Sequence, residues 1–411
     1  VVNGLLFVFC LISSLNGNNI DLYTPYFKKI TEFDVIKYYF ISFLFSIIFI
    51  IFLEILENSQ KNKRLFIDNR ACEFNSNAQI KKHLLTSWLI LFISIFFYSL
   101  YLLPYGGYIG YLNYSSLIRS GIDTVDNTFS YFNVMGSLAF ISAFVFFSIA
   151  IDNKRNHRKS AYIGFIISAI FSGYVLYATL GRLTILIFFL VLTSSAILIK
   201  IKKKRTIILL SSLICVLIIP IVYYISVILN RTNENSLIKT ITSTFSFPFV
   251  NFKNQSNNYG LSDNSYFRFF QDIIFIPLFA LPSKLWNVAL GIKSASAMNT
   301  FYFFGAFKGE NSVQGEMPLD ILTFGYMQLG VFGIVIIALL FGLFVFYLER
   351  VLRKINIRSI QITLGFYLAY NFVFRTILYG DTSNLVPRAF SIIVYAIIYL
   401  IISKLKEGRL A

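Results

Sequence analysis

The sequence predicts an all-α integral membrane protein of about ten transmembrane helices with a large outer loop, and three observations predict it. Of the 411 residues, 57% are hydrophobic and only 13% are charged, about half the charged share of a soluble domain. A mean hydropathy of +0.70, with 46 Phe and 26 Tyr, leaves more apolar side chain than a globule could cover with polar surface. Apolar runs suited to a bilayer core, roughly 20 residues each, recur along the whole chain, and alternate connections between them are basic.

The expected spans are 1–15, 36–56, 84–103, 134–151, 161–180, 183–199, 206–229, 321–348, 360–379 and 389–403, the first and last being short. The chain opens on Val1 without a basic leader region, so 1–15 reads as a span and not as a cleaved signal peptide. Taken as one helix, 161–199 would run about 58 Å, nearly twice the hydrocarbon thickness. A turn is therefore expected at Gly181-Arg182. With the N-terminus inside, the segments 57–83, 152–160, 200–205, 349–359 and the tail from 404 face the cytoplasm, and they carry well over half of the 36 Lys and Arg. This is the positive-inside pattern, with both termini cytoplasmic. It accounts for a net charge of +17 without nucleic acid as a partner.

Three regions follow: transmembrane helices one to seven over 1–229, a large outer loop over 230–320, and helices eight to ten over 321–411. A loop of that length is normally functional. Its first third is rich in Asn, including Asn251, Asn254 and Asn258, while 273–291 turns apolar around Pro277 and Pro282 and is expected to lie as an interfacial helix. A second outer loop, 104–133, is rich in Tyr and Gly. Cys10, Cys72 and Cys215 have no disulfide or metal-ligand spacing, so neither metal nor cofactor is expected.

Charges near the ends of spans indicate function because they are costly there. Arg182, Arg375 and Arg388 all fall at the outer face, and Arg231 and Arg268 lie in the large loop. A guanidinium fork binds phosphate bidentately and keeps its charge, so such a cluster suits a diphosphate-linked lipid and stabilises diphosphate as it leaves. The bland alternative is that Arg182 and Arg388 snorkel to headgroups. His83 and His157 both fall in inner basic loops, as solvated surface residues, so a general base at the outer face is a carboxylate. The candidates are Glu310, Glu316, Asp320, Asp272 and Asp381, with Glu316 and Asp320 favoured at the mouth of the eighth span; Asp320 also suits a helix N-cap.

Three stretches together resemble a known family: Leu180-Gly181-Arg182-Leu183-Thr184, the run from Pro318-Leu319-Asp320 to Gly330-Val331-Phe332-Gly333, and Phe374-Arg375-Thr376-Ile377-Leu378-Tyr379-Gly380-Asp381. With the large outer loop between them they look like the oligosaccharide repeat unit polymerases, the Wzy-type O-antigen polymerase group, over about residues 160–400. The resemblance implies a glycosyltransferase C-like fold in a bacterial cytoplasmic membrane. It implies metal-independent polymerisation of undecaprenyl-diphosphate-linked oligosaccharide repeat units into O-antigen or capsule at the outer leaflet, with a chain-length regulator protein as a further partner. Arg182, Glu316 and Asp320 would then be catalytic, and Arg182, Arg231, Arg268, Arg375 and Arg388 would hold diphosphate. Two rivals stay open. A polysaccharide ligase shares the architecture, and a flippase or transporter of the same lipid-linked unit also needs arginines, although it should carry charge near the bilayer midplane and small outer loops.

Overall fold

The computed structural model describes residues 32–61, 76–120, 125–152, 157–179, 182–201, 247–256, 267–281, 284–311, 313 and 315–407. Among these the regular elements are all helical. They are α1 Glu32–Lys61, α2 Ser76–Leu102, α3 Gly107–Ser120, α4 Leu138–Ile151, α5 Arg158–Ala178, α6 Arg182–Lys200, α7 over 247–256, α8 Gln271–Ile274, α9 Ala295–Phe304, α10 Ile321–Arg353, α11 Arg358–Leu368, α12 Arg375–Leu378 and α13 Leu385–Glu407, with short 3-10 and π turns between them.

Among the described residues six stretches are long and apolar enough to cross a bilayer: Ile36–Ser59, Asn77–Tyr105, Ser130–Ile151, Arg158–Ala178, Ile321–Arg353 and Thr382–Leu405; Thr184–Lys200 is a shorter apolar helix. The chain is a multi-pass helical membrane protein. Helix is what lipid requires, because only there does each backbone group find its partner within the segment. Polar side chains in these helices follow the same rule, as where Ser42 Oγ donates to Tyr38 O and Ser46 Oγ to Ser42 O, each at 2.8 Å. The expected spans 1–15 and 206–229 lie outside the described residues. Helix α5 ends at Ala178 and α6 begins at Arg182, so the helix is interrupted where the turn was expected.

The chain divides into two compact units: Val1–Phe66 with Ile219–Tyr347 and Val373–Val386, and Ile67–Ile218 with Leu348–Phe372 and Pro387–Ala411. The second unit is built around α4, which is buried along most of its length. Close helix packing there depends on missing side chains: a Cβ on Gly164 would come within 2.7 Å of the Phe146 ring, and one on Gly136 within 2.9 Å of Tyr98. His83 departs from the expectation of a solvated surface residue. It is 5% exposed on α2, with Nδ1 2.7 Å from Tyr395 Oη and its ring stacked on Tyr399. Its neighbours Lys81 and Lys82 made it look like surface, but the helix turns its face inward.

In the first unit α10 is not one straight rod. Leu329 (φ −158°, ψ 41°) and Gly330 (φ 61°, ψ −140°) leave the helical region. An ideal Cβ on Gly325 would lie 2.9 Å from Ile334 Cα, whereas nine residues of continuous helix would separate them by about 13 Å. The chain therefore doubles back, with a short leg 321–328 packed against the start of a long leg 331–353. That long leg, about 34 Å, spans a bilayer by itself. The expected single eighth span is thus a hairpin, and Gly325 and Gly333 let its legs touch, since a Cβ on Gly333 would run into Gly325 O. The expected ninth span is an unbroken helical stretch, α11 passing through a π turn Ala369–Phe374 into α12, with Ala369 and Phe374 both in the right-handed helical region. The stretch 273–291 is not one interfacial helix either: it breaks into α8, a 3-10 turn Leu278–Ala280 and a π turn Lys284–Ala289, with the breaks near Pro277 and Pro282.

Candidate functional site

The polar residues of the first unit gather around the hairpin. Leaving the helix at Leu329 frees carbonyls at the end of the short leg, and the large loop supplies donors for them: Arg268 N reaches Met327 O and Phe269 N reaches Gln328 O, both at 3.0 Å. The side chains repeat the join. Arg268 grips Asp272 with Nε to Oδ2 at 2.5 Å and Nη2 to Oδ1 at 2.6 Å, Nη2 also reaches Lys293 O at 2.7 Å, and Gln328 Nε2 donates to Asp272 Oδ2 at 2.9 Å. Arg268 precedes α8, and the left-handed Phe269 (φ 44°) and Phe270 (φ 61°) between them turn the chain so that the two buried side chains meet. Thr382 Oγ1 then donates to Asp272 O at 2.8 Å, fixing the segment after α12 to the same point.

The carboxylates proposed from sequence fall into two kinds. Asp320 is 2% exposed and caps the short leg: its Oδ2 accepts from Leu322 N at 3.1 Å and Thr323 N at 3.3 Å, and its Oδ1 accepts from Thr323 Oγ1. Burial pushes its carboxyl up to about 7, and these bonds hold it below where burial alone would put it. Asp381, 1% exposed, accepts from Ser296 N and Ser383 N at 2.9 Å each, so it caps both α9 and its own turn. Asp272 is held by Arg268, and Glu310 accepts from Phe307 N at 2.9 Å within its own loop. Glu316 differs. Its side chain is exposed. Partial loss of hydration beside the protein raises its affinity for a proton, the charge of Asp381 raises it further, and Lys308 opposes both.

The arginines are distributed over both units. Arg268 and Arg375 belong to the first unit, with Glu316 and Asp320; Arg375 opens α12 and is half-buried. Arg182, the first residue of α6, and Arg388, in α13, belong to the second unit. Arg231 lies outside the described residues. The guanidinium of Arg268 meets a carboxylate and a carbonyl in place of phosphate. Among the described residues no three His, Cys, Asp or Glu side chains converge as a metal-ligand set.

The Asn-rich part of the large loop also differs from an open sugar-binding surface. Helix α7 is buried almost throughout: Asn251 Nδ2 donates to Pro318 O, Gln255 Nε2 to Asn299 Oδ1 at 2.8 Å, and Lys253 pairs with Asp34 at 3.0 Å. Beside it lies a cavity of about 210 Å³ between α1, α7 and the hairpin, with Tyr38, Phe45, Phe49, Phe341 and Leu378 among its walls and Asp320 at its edge. Sequence reasoning missed Gln328, the Lys253–Asp34 pair and this cavity. Gln328 meets Asp272 from 56 residues away and had no local signal, whereas the run 38, 42, 45, 46, 49 on one face of α1 was a readable signal for the cavity. No family model matches the chain, and comparison with curated proteins and with solved structures gave no match.

Proposed function

We propose that the chain is a glycosyltransferase of the outer membrane face that joins undecaprenyl-diphosphate-linked oligosaccharide repeat units into a surface polysaccharide. The observation that carries this reading is Glu316, an exposed carboxylate four residues before the cap of the short leg whose affinity for a proton the charge of Asp381 helps to raise, while Asp272, Asp320 and Asp381 are committed to Arg268 and to backbone N–H groups. In the reaction, Glu316 takes the proton from a sugar hydroxyl of one lipid-linked unit as that oxygen bonds the anomeric carbon of the other. The bond from that carbon to the diphosphate oxygen breaks, and undecaprenyl diphosphate leaves with the bonding electrons. Arg375, in the same unit as Glu316, holds the departing charge, and Arg182, Arg231 and Arg388 are the phosphate contacts that the family resemblance implies. The sequence motifs around Arg182, Asp320 and Arg375 support the same assignment.

Deletion of the gene followed by electrophoresis of surface glycan tests the reading. Loss of the polymerase leaves single repeat units on the lipid anchor. Glycan absent from the anchor but present on its lipid carrier outside would make the protein a ligase, and absence of any repeat unit outside would make it a flippase.

A further inference from the structure

One cation of the first unit is held in place and left without a carboxylate. Lys253 pairs with Asp34 and Arg268 with Asp272, so neither has charge to offer an anion. Lys293 is different. Its Nζ donates to Asn287 Oδ1 at 2.9 Å and lies 4.8 Å from the centre of the Phe307 ring, and among the described residues no carboxylate pairs with it. Neither contact cancels a positive charge, because an amide oxygen is a neutral acceptor and a ring face offers only its quadrupole. An ammonium has three N–H donors, and Asn287 takes one.

Several contacts keep that ammonium still. Arg268 Nη2 reaches Lys293 O at 2.7 Å and fixes the backbone. Asn287 belongs to the π turn Lys284–Ala289, which Trp286 Nε1 ties to Leu281 O at 3.1 Å and Ile292 N ties to the next segment through Trp286 O at 2.9 Å. The Phe307 ring stacks on Phe301 with centroids 4.9 Å apart, and Glu310 holds the Phe307 N–H. Ordering a lysine side chain costs rotamer entropy, yet here the chain fixes one half-buried and leaves its charge uncancelled.

The same residues border Glu316. Three places after Lys293, Ser296 N reaches Asp381 Oδ2 at 2.9 Å, and Asp381 is the charge that acts on Glu316; Lys308, next to Phe307, is the cation that opposes it. Lys293 and Glu316 are thus neighbours of one carboxylate, and three residues of chain reach at most about 10 Å. In the transfer the base lies within about 3 Å of the acceptor hydroxyl, and that hydroxyl within about 3.5 Å of the anomeric carbon. The leaving oxygen is on the far side of that carbon, so the first phosphate belongs roughly 10 Å from Glu316.

We propose that the Lys293 ammonium binds the diphosphate of the lipid-linked donor, in the role that Arg268 gives up to Asp272. The proposal rests on the reading of a polyprenyl-diphosphate donor and names a further cation, in the unit that carries Glu316, for its leaving group. As the bond from the anomeric carbon to the diphosphate oxygen breaks, that oxygen keeps the electron pair, and Lys293 donates hydrogen bonds to the diphosphate without giving up its proton. Arg268 is then a positioning residue: Asp272 cancels its charge, and its contribution to the phosphate is the placement of Lys293.

The test uses the full chain in nanodiscs of phosphatidylcholine, which brings no anionic headgroup, and radiolabelled undecaprenyl diphosphate without glycan. Lys293→Met keeps the apolar stem, removes the charge and should weaken binding tenfold or more; Lys293→Arg keeps the charge and should restore most of it. Lys37→Met is the control, since Lys37 also sets its ammonium over a ring, that of Tyr326 at 6.0 Å, and it should bind as wild type does. Acetylation of the wild-type chain, read by mass spectrometry, needs no variant and decides if Lys293→Met fails to fold: bound undecaprenyl diphosphate should slow reaction of Lys293 severalfold and leave that of Lys37 unchanged. Binding by Lys293→Met equal to that of Lys37→Met overturns the proposal, as does Lys293→Arg no better than Lys293→Met or an unprotected Lys293. Displacement by phosphatidylglycerol as effective as by unlabelled undecaprenyl diphosphate would make the site one for any anionic headgroup and overturns it too. A wild-type chain that binds no undecaprenyl diphosphate overturns the donor reading as well, whereas binding that survives Lys293→Met removes Lys293 alone.

Discussion

Asp272→Asn separates a structural role for Arg268 from a phosphate-binding one. The substitution keeps shape and removes the charge that Arg268 meets through two bonds of 2.5 and 2.6 Å, with the side chains 8% and 0% exposed. A buried guanidinium left without its carboxylate costs about 3–5 kcal/mol. At roughly 2–4 °C per kcal/mol in a domain of this size, melting should fall on the order of 10 °C, measured in detergent with a thiol-reactive dye that reports exposure of the native cysteines. Arg268→Met in the same chain removes the stranded charge, while the introduced amide oxygen still accepts from Gln328, so the double variant should recover at least half of the loss. Melting of Asp272→Asn within about 2 °C of wild type, or a double variant no better than the single, would refute the structural role of the Arg268–Asp272 pair and return Arg268 to the phosphate site.

Gly333→Ala should destabilise more than Gly325→Ala, because both new methyl groups meet backbone but the first would overlap Gly325 O while the second would lie 2.9 Å from Ile334 Cα; Gly330→Ala should cost about 1–3 kcal/mol from its positive φ alone, read in the same melting assay. Arg182→Lys and Arg375→Lys should each abolish most chain extension at normal membrane abundance, since an ammonium cannot reproduce bidentate phosphate binding; a full-length glycan ladder from Arg182→Lys would make that residue an interface anchor. Glu316→Gln should cut extension by reconstituted enzyme by about 10²-fold, with wild-type activity persisting in excess EDTA. The acid limb of the wild-type rate should lie above the ordinary carboxylate value of 4.5, and Lys308→Ala should move it higher still, because Lys308 is the group opposing that shift. Asp320 binds a proton more tightly folded than unfolded, so its contribution lowers stability as pH rises from about 4 to about 7, by up to about 4 kcal/mol; melting of Asp320→Asn across that range should be flatter than that of wild type.

Hydropathy made the long helices legible because each is a continuous apolar run whose backbone bonds close within the segment. The interruption between Ala178 and Arg182 was readable from length alone, and the cap at Asp320 from its place before an apolar run. The fold back at Leu329-Gly330 was not, because 321–348 has no proline and its composition suits a single rod equally well. What distinguishes the hairpin is contact between Gly325 and Ile334, together with donors brought from residues 268 and 269, which no local pattern encodes. The same holds for the site. Asp272 and Asp381 looked as available as Glu316 in sequence, and only Ser296, Arg268 and Ser383, distant or unremarkable in the chain, commit them.

The donors that close the end of the short leg precede it in the chain, which bears on biogenesis. Residues 267–269 leave the ribosome before 321–334, so the partners of the freed carbonyls at Met327 and Gln328 are already made when those carbonyls emerge. A hairpin released into lipid without them would carry open backbone groups there, each costing several kcal/mol. Insertion is thus ordered by synthesis: the large loop must fold back toward the membrane before the hairpin settles, and a chain rearranged to place 321–353 ahead of the loop would lose that order while keeping every residue.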